Sequence, residues 1–174
     1  TNQNNMRSKI TSLIALLFVG VLCLQNQEAL GQCPPSAVCD TFTAGDIASD
    51  FDFRNTSQTS TCIGTISVNL PAGEWVDSVS TSYTMTAGAG AYMSEQVSWL
   101  YSPTTATGEP NVATGIGFTG GTFSYSRTAL NFANTAIGNV DIEMHAGRTW
   151  GGSGCDAAFN KVDVGTWSVI VYHS

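Results

Sequence analysis

The chain has 174 residues and a formal net charge of −7, with 6 Lys and Arg against 13 Asp and Glu. That balance excludes the basic surfaces that nucleic acid and anionic membranes require. Charged side chains make up only 11% of the sequence while glycine alone supplies 18 residues, which is how exported β-proteins read, since helical cytosolic enzymes carry Lys/Glu-rich helix faces.

Arg7 and Lys9 give a positive start, Leu13 to Leu24 is an unbroken run of apolar residues and one Gly, and polar residues Gln25 to Glu28 follow. This is the layout of a secretory signal peptide. The apolar run falls well short of the roughly 20 residues needed to cross a bilayer core, so it is not expected to persist as an anchor. Ala29-Leu30-Gly31 places small residues where signal peptidase inspects them, and cleavage is expected before Gln32. Lipidation at Cys23 is the competing reading, weakened because Leu22 stands where a small residue is wanted. Thr1 to Asn5 precede the first Met, Met6, and read as upstream sequence.

Residues 1–31 are thus assigned to the upstream stretch and signal, and 32–174 to one domain, long enough for a real core. Its cysteines are Cys33, Cys39, Cys62 and Cys155. In an oxidising compartment an even number implies disulfides, here two. Of the three pairings, Cys33 with Cys39 and Cys62 with Cys155 is expected, because Pro34 and Pro35 preorganise a tight loop between the first two. A zinc site is the rival, but the spacings match no finger pattern.

Period-2 alternation then recurs between turn residues, the signal of half-buried strands. Asp40 to Phe53 is acidic and aromatic and is expected to give an N-terminal or edge strand. Ile63, Ile66, Val68 and Leu70 mark a strand ended by Pro71-Ala72-Gly73. In the next, Trp75, Val79, Tyr83 and Met85 share one face and Ser78, Ser80, Ser82 and Thr84 the other. Val97, Trp99 and Tyr101 alternate as far as Pro103, and Thr104 to Gly115 reads as a polar loop holding Glu109-Pro110. Phe123 and Tyr125 follow Gly120-Gly121, Ala129 to Ile137 has room for one helical turn, and Val140, Ile142, Met144 and Ala146 form the next strand. Trp167, Val169, Val171 and His173 close the chain, with Ile170 and Tyr172 opposite. Trp75, Trp99 and Trp167 are expected in the core. Roughly six to eight short strands without a convincing helix predict an all-β, two-sheet antiparallel β-sandwich, jelly-roll-like.

The most unusual segment is His145 to Cys155, which brings together imidazole, guanidinium, indole and glycines. Arg148 and Trp150 are separated by one residue, so an extended backbone points both the same way. Such side chains stack on flat rings and hold polar groups, and glycines let a ligand approach the backbone. Arg148, Trp150 and His145, with Tyr92 and Tyr101, are therefore the candidate ligand-binding residues. The plainer alternative is a Gly-rich loop pinned by Cys155, with Trp150 packed on the sandwich edge and Arg148 paired to Asp141 or Asp156.

Asp40, Asp46, Asp50 and Asp52 crowd carboxylates together, and Asp46, Asp50 and Asp52 are candidate calcium ligands, although the spacing is not that of an EF-hand. For a hydrolase, His145 with Asp141 or Glu143 and one of many serines makes an arithmetically possible triad, but no Gly-x-Ser-x-Gly elbow exists. Glu95, Glu109 and Glu143 are the carboxylates from which a glycosidase pair could be drawn.

Leu70-Pro-Ala-Gly-Glu-Trp-Val-Asp-Ser-Val-Ser-Thr-Ser-Tyr-Thr-Met-Thr-Ala, Ala91-Tyr-Met-Ser-Glu-Gln and Glu143-Met-His-Ala-Gly-Arg-Thr-Trp-Gly-Gly-Ser-Gly-Cys155, within Thr61 to Tyr172, resemble a domain of large secreted proteins of the Bacteroidota. That family has no established activity. The resemblance implies a jelly-roll accessory module, extracellular or periplasmic, with an adhesive or substrate-binding role. The expectation is a secreted, non-catalytic binding module for carbohydrate or another extracellular polymer, with an extracellular glycan or surface protein as partner. A structural or adhesive surface subunit is the alternative and a hydrolase the third.

Overall fold

A computed structural model describes residues 33–174; the expected signal peptide, its cleavage before Gln32 and Cys23 lie outside the described residues. The alternating segments form β1 (Ala37–Thr41), β2 (Ile47–Asp50), β3 (Ile63–Asn69), β4 (Val76–Ala87), β5 (Gln96–Ser102), β6 (Thr107–Gly108), β7 (Ala113–Thr114), β8 (Gly121–Leu130), β9 (Asn139–Arg148), β10 (Cys155–Val162) and β11 (Ser168–His173). The only helical element among the described residues is a 3-10 turn at Met93–Glu95.

The strands make the two layers of an antiparallel β-sandwich. β4 is the spine of the first: β8 pairs along one edge, while the other edge takes β10 at Met85–Ala87 and β11 at Val76–Ser82, with β1 outside β11. β10 and β11 are successive stretches of one line along β4, separated by a turn in which Thr166 N–H donates to the Asp163 carbonyl at 3.2 Å. The second layer is centred on β9, flanked by β3 and by β5, which also holds the short β6 and β7. β2 joins the layers, antiparallel to β10 and meeting β9 in parallel at Asp50 and Gly147.

Between the layers Val79, Met85, Val162, Val169 and Val171 meet Ile66, Val68, Leu100, Val140, Ile142 and Met144, all nearly or wholly buried. Each such side chain contributes about 1.5–3 kcal/mol of transfer free energy. Trp167 is in this core as expected, with 1% exposure.

β5 inverts the usual pattern. Gln96, Ser98 and Ser102 face inward at 0% exposure, and the apolar Val97, Trp99 and Tyr101 face out. The inward polar groups are satisfied: Gln96 Nε2 donates to the Met85 carbonyl at 2.9 Å, Tyr125 hydroxyl donates to Gln96 Oε1 at 2.9 Å, and the Tyr83 and Ser98 hydroxyls share a bond. Burial pushes the Tyr83 phenol up to about 12, so it stays a neutral donor. Trp99 is buried as expected, in a second core cluster with Phe53 and Val97 on the outer side of β5.

Two expectations are corrected. Trp75 is 49% exposed because the alternation breaks at a bulge: Ser78 opposes Tyr172 and Val76 opposes His173, leaving Asp77 as the extra residue. A bulge reverses which side chains face the core. Of the segment Ala129 to Ile137, Ala129 and Leu130 end β8 and residues 131–136 form successive turns instead of a helical one, with Asn134 N–H donating to the Asn131 carbonyl and Ala136 N–H to the Ala133 carbonyl. The disulfides are Cys33–Cys39 and Cys62–Cys155, the latter spanning 93 positions.

Candidate functional site

β9 ends at Arg148, and the chain then leaves the sheet through Gly151 to Gly154 before re-entering as β10. Arg148 is the correction here: it has 0% exposure and is not available to a ligand. One guanidinium nitrogen donates to the Ser49 carbonyl; the other donates to the Gly152 carbonyl and, at 3.0 Å, to that of Gly154. Its carbon stands 5.1 Å over the Phe159 ring. Burial pulls its pKa below the ordinary value, opposed by the charges of Asp156, Asp50 and Asp52. The guanidinium has five donors and no acceptor, so carbonyls that converge from a loop are natural partners. Neither Asp141 nor Asp156 forms a salt bridge with it.

Trp150 sits on the loop that Arg148 fixes and is 46% exposed. Its indole meets Phe159 edge-on, ring centres 5.6 Å apart, and its tip overlies Gly90. Gly151 supports this arrangement: its φ of +111 favours glycine, and a Cβ there would stand 2.8 Å from the Phe159 ring.

Two further loops reach the same end of the sandwich. The β4–β5 loop pairs with the β7–β8 loop, Met93 N–H donating to the Thr119 carbonyl at 3.0 Å and Ser94 N–H to the Gly117 carbonyl at 2.9 Å. Thr149 N–H donates to the Glu95 carbonyl at 3.0 Å, tying in the Trp150 loop. Glu95 also turns its carboxylate back to accept from Tyr92 N–H at 2.7 Å. Tyr92 is exposed at this end, and so are Ile116 and Phe118, at 74% and 83%.

Tyr101 and His145 lie elsewhere, on the outer face of the second layer. Trp99 stands beside His145 and Tyr101 beside Glu143 across the β5–β9 ladder. His145 is 5% exposed and is surrounded by Phe53, Trp99 and Tyr101 at ring separations of 5.3–5.9 Å. Its Nε2 lies 2.9 Å from Glu143 Oε2, and its Nδ1 is buried with no partner. No serine hydroxyl bonds either nitrogen. The five candidate ligand-binding residues thus divide into a loop-end pair, a sheet-face pair and one buried post.

The carboxylates do not assemble a calcium site. Asp46 is engaged by Lys161 at 2.6 Å and by Val164 N–H at 2.9 Å. The Lys161 hydrogen bond, then that of Val164, holds it below the usual carboxylate range. Asp50 accepts from the Thr61 and Asp52 amides and the Thr61 hydroxyl, while Asp52 is exposed. The metal-binding side chains gathered around Asp50 are Cys62 and Cys155, which are joined to each other as a disulfide. Glu109 likewise holds a loop: its carboxylate accepts from Leu100 N–H at 2.8 Å and pairs with Arg127 at 3.0 Å.

Ile116, Phe118 and Phe159 were not among the sequence candidates. The available signal was large apolar residues in Gly115-Ile-Gly-Phe-Thr-Gly-Gly, too glycine-rich to bury them in a strand.

No protein-family model matches the chain, and no curated protein matches it. Among solved structures, it is similar to dimeric latent PorU from Porphyromonas gingivalis, with 8% identity and a TM-score of 0.43, over 80% of this chain and 12% of that one. It is also similar to the xylan-binding module CBM15, with 11% identity and a TM-score of 0.42, over 78% of this chain and 95% of that one. A structure of infectious bursal disease virus Gt strain gives 16% identity and a TM-score of 0.40, over 81% of this chain and 33% of that one.

Proposed function

We propose that this chain is a non-catalytic binding module of an exported protein, taking carbohydrate or another extracellular polymer on the loop end that carries Trp150, Tyr92 and Phe118. The observation that carries this reading is the cluster of large apolar side chains left exposed on a backbone held by Arg148, by inter-loop hydrogen bonds and by the Cys62–Cys155 bridge. A fold that fixes a surface and leaves aromatic rings on it supplies a preorganised stacking platform. Two disulfides fit an oxidising compartment, and export by a signal peptide is part of the proposal. No helix among the described residues is long and apolar enough to cross a membrane. Membership of the Bacteroidota accessory modules belongs to the same proposal.

The test is a polysaccharide and glycan binding screen on the oxidised protein and on Trp150→Ala. A saturable ligand lost in the variant supports the reading; a ligand bound equally by both removes Trp150 from the site. The exposed Ile116 favours a second reading, adhesion through protein contacts, because an aliphatic chain packs against apolar surface without stacking on a ring. Light scattering separates the two: self-association abolished in Ile116→Ser supports adhesion, and a strict monomer at high concentration counts against self-adhesion.

A further inference from the structure

The β3–β4, β5–β6 and β8–β9 connections lie at the other end of the strands from Trp150. Among the described residues, three of the four non-glycine residues with left-handed backbone belong to this end: Ala106 at φ 54, Ala129 at φ 55 and Thr135 at φ 68. Threonine is β-branched and is strained there, so the surroundings must hold it in place.

The β5–β6 and β8–β9 connections line an open groove of about 560 Å³, within the roughly 300–1,000 Å³ of small-molecule sites. Its polar walls are hydroxyls and amides, from Thr104, Thr107, Asn131, Asn134 and Thr135, with no charged residue in the lining. Thr105 and Thr107 spend their hydroxyl protons on the Phe132 carbonyl and on each other, their oxygens 2.7 Å apart, which leaves lone pairs to accept from a ligand. Thr104 accepts from Asp141 N–H at 3.0 Å, which leaves its own proton to donate. Asn134 adds a buried Oδ1 that no donor among the described residues reaches. Ile137 lines one side, and directly across an isolated bridge from it stands Trp75, exposed at the surface.

We propose that this groove binds a neutral polyhydroxylated ligand, a saccharide unit or the end of a neutral oligosaccharide, with Trp75, the bridge partner of the lining residue Ile137, as the stacking surface beside it. Hydroxyls and amides exchange hydrogen bonds with sugar hydroxyls in both directions, and an indole covers the apolar face of a pyranose. Acidic glycans are disfavoured, because the lining offers no cation and the chain carries −7. The Trp150 surface lies at the opposite end of the strands, so the two sites stand or fall separately.

The experiment is ligand-observed saturation-transfer NMR on the oxidised full chain. Hexaoses of glucose, xylose and mannose are the probes, beside an oligogalacturonate, with Trp75→Ala, Asn131→Ala and Trp150→Ala as variants. Trp75 and Asn131 are exposed, so their variants should fold, and circular dichroism checks that they do. At least one neutral hexaose should bind the parent and Trp150→Ala alike and lose about tenfold or more in Trp75→Ala, with a smaller loss in Asn131→Ala. Absence of binding by every neutral hexaose, preference for the oligogalacturonate, or unchanged affinity in Trp75→Ala would each overturn the groove. Binding lost in Trp150→Ala but kept in Trp75→Ala would overturn it while supporting the other surface.

Discussion

Arg148 and Trp150 stand two positions apart and occupy opposite environments: the guanidinium is fully buried on the Gly154 and Ser49 carbonyls, and the indole is 46% exposed above the loop that those bonds fix. One residue builds the platform that the other occupies.

The two substitutions should therefore separate stability from binding. Arg148→Ala strands several carbonyls and removes packing on Phe159, and should cost about 2–4 kcal/mol in urea unfolding. Trp150→Ala should shift stability by about 1 kcal/mol or less while removing ligand binding at its surface. Equal destabilisation by both would mean that Trp150 is packing.

The bridges differ in the chain length that they close. Removing Cys62–Cys155 as a double serine variant should cost about 4–5 kcal/mol by the chain-entropy relation, and removing Cys33–Cys39 about half that. Thermal unfolding of the two variants gives the order directly, and a reversed order would count against this account.

Acid should act on two carboxyls with opposite signs. At Asp50, desolvation is outweighed by the Thr61 and Asp52 hydrogen bonds and the charge of Arg148, so the group lies below its ordinary 3.8. Its contribution to stability is complete above 3.8 and is lost as pH falls through the lower native value. Glu109 lies above its ordinary 4.5 because burial outweighs Arg127 and the Leu100 amide. Its contribution is complete below 4.5 and is lost as pH rises through the raised native value. In urea titrations across acid pH, Asp50→Asn should flatten the loss at the acid extreme, and Glu109→Gln should flatten the decline from mildly acid towards neutral pH. Variant curves parallel to the parent would refute the linkage.

The sandwich was legible because β3, β11 and much of β4 bury one face and leave the other wetter, as does the first half of β9, which writes period-2 alternation into the sequence. β10 was not, because Cys155-Asp-Ala-Ala-Phe-Asn-Lys-Val alternates poorly and pairs with β2 and β4 over different stretches. Trp75 was misplaced by the bulge at Asp77, which shifts the face without leaving a composition cue. Trp99 was read as core and is buried, but that it lies in a second cluster was not legible, because β5 turns its polar side inward onto Tyr83, Tyr125 and the Met85 carbonyl from a distant part of the chain. Trp150 and Tyr92 were found as exposed aromatics in turn-rich sequence, whereas Arg148 looked equally exposed because its carbonyl partners come from loop folding that local pattern does not encode.

The Cys62–Cys155 bridge ties positions 93 apart, and both the Trp75 groove and the Trp150 loop lie between its ends. A protease that cuts the exposed turn 104–106 therefore leaves one covalent molecule carrying both surfaces. Such a nicked form would migrate as two pieces only after reduction, so a cut there separates neither surface from the other.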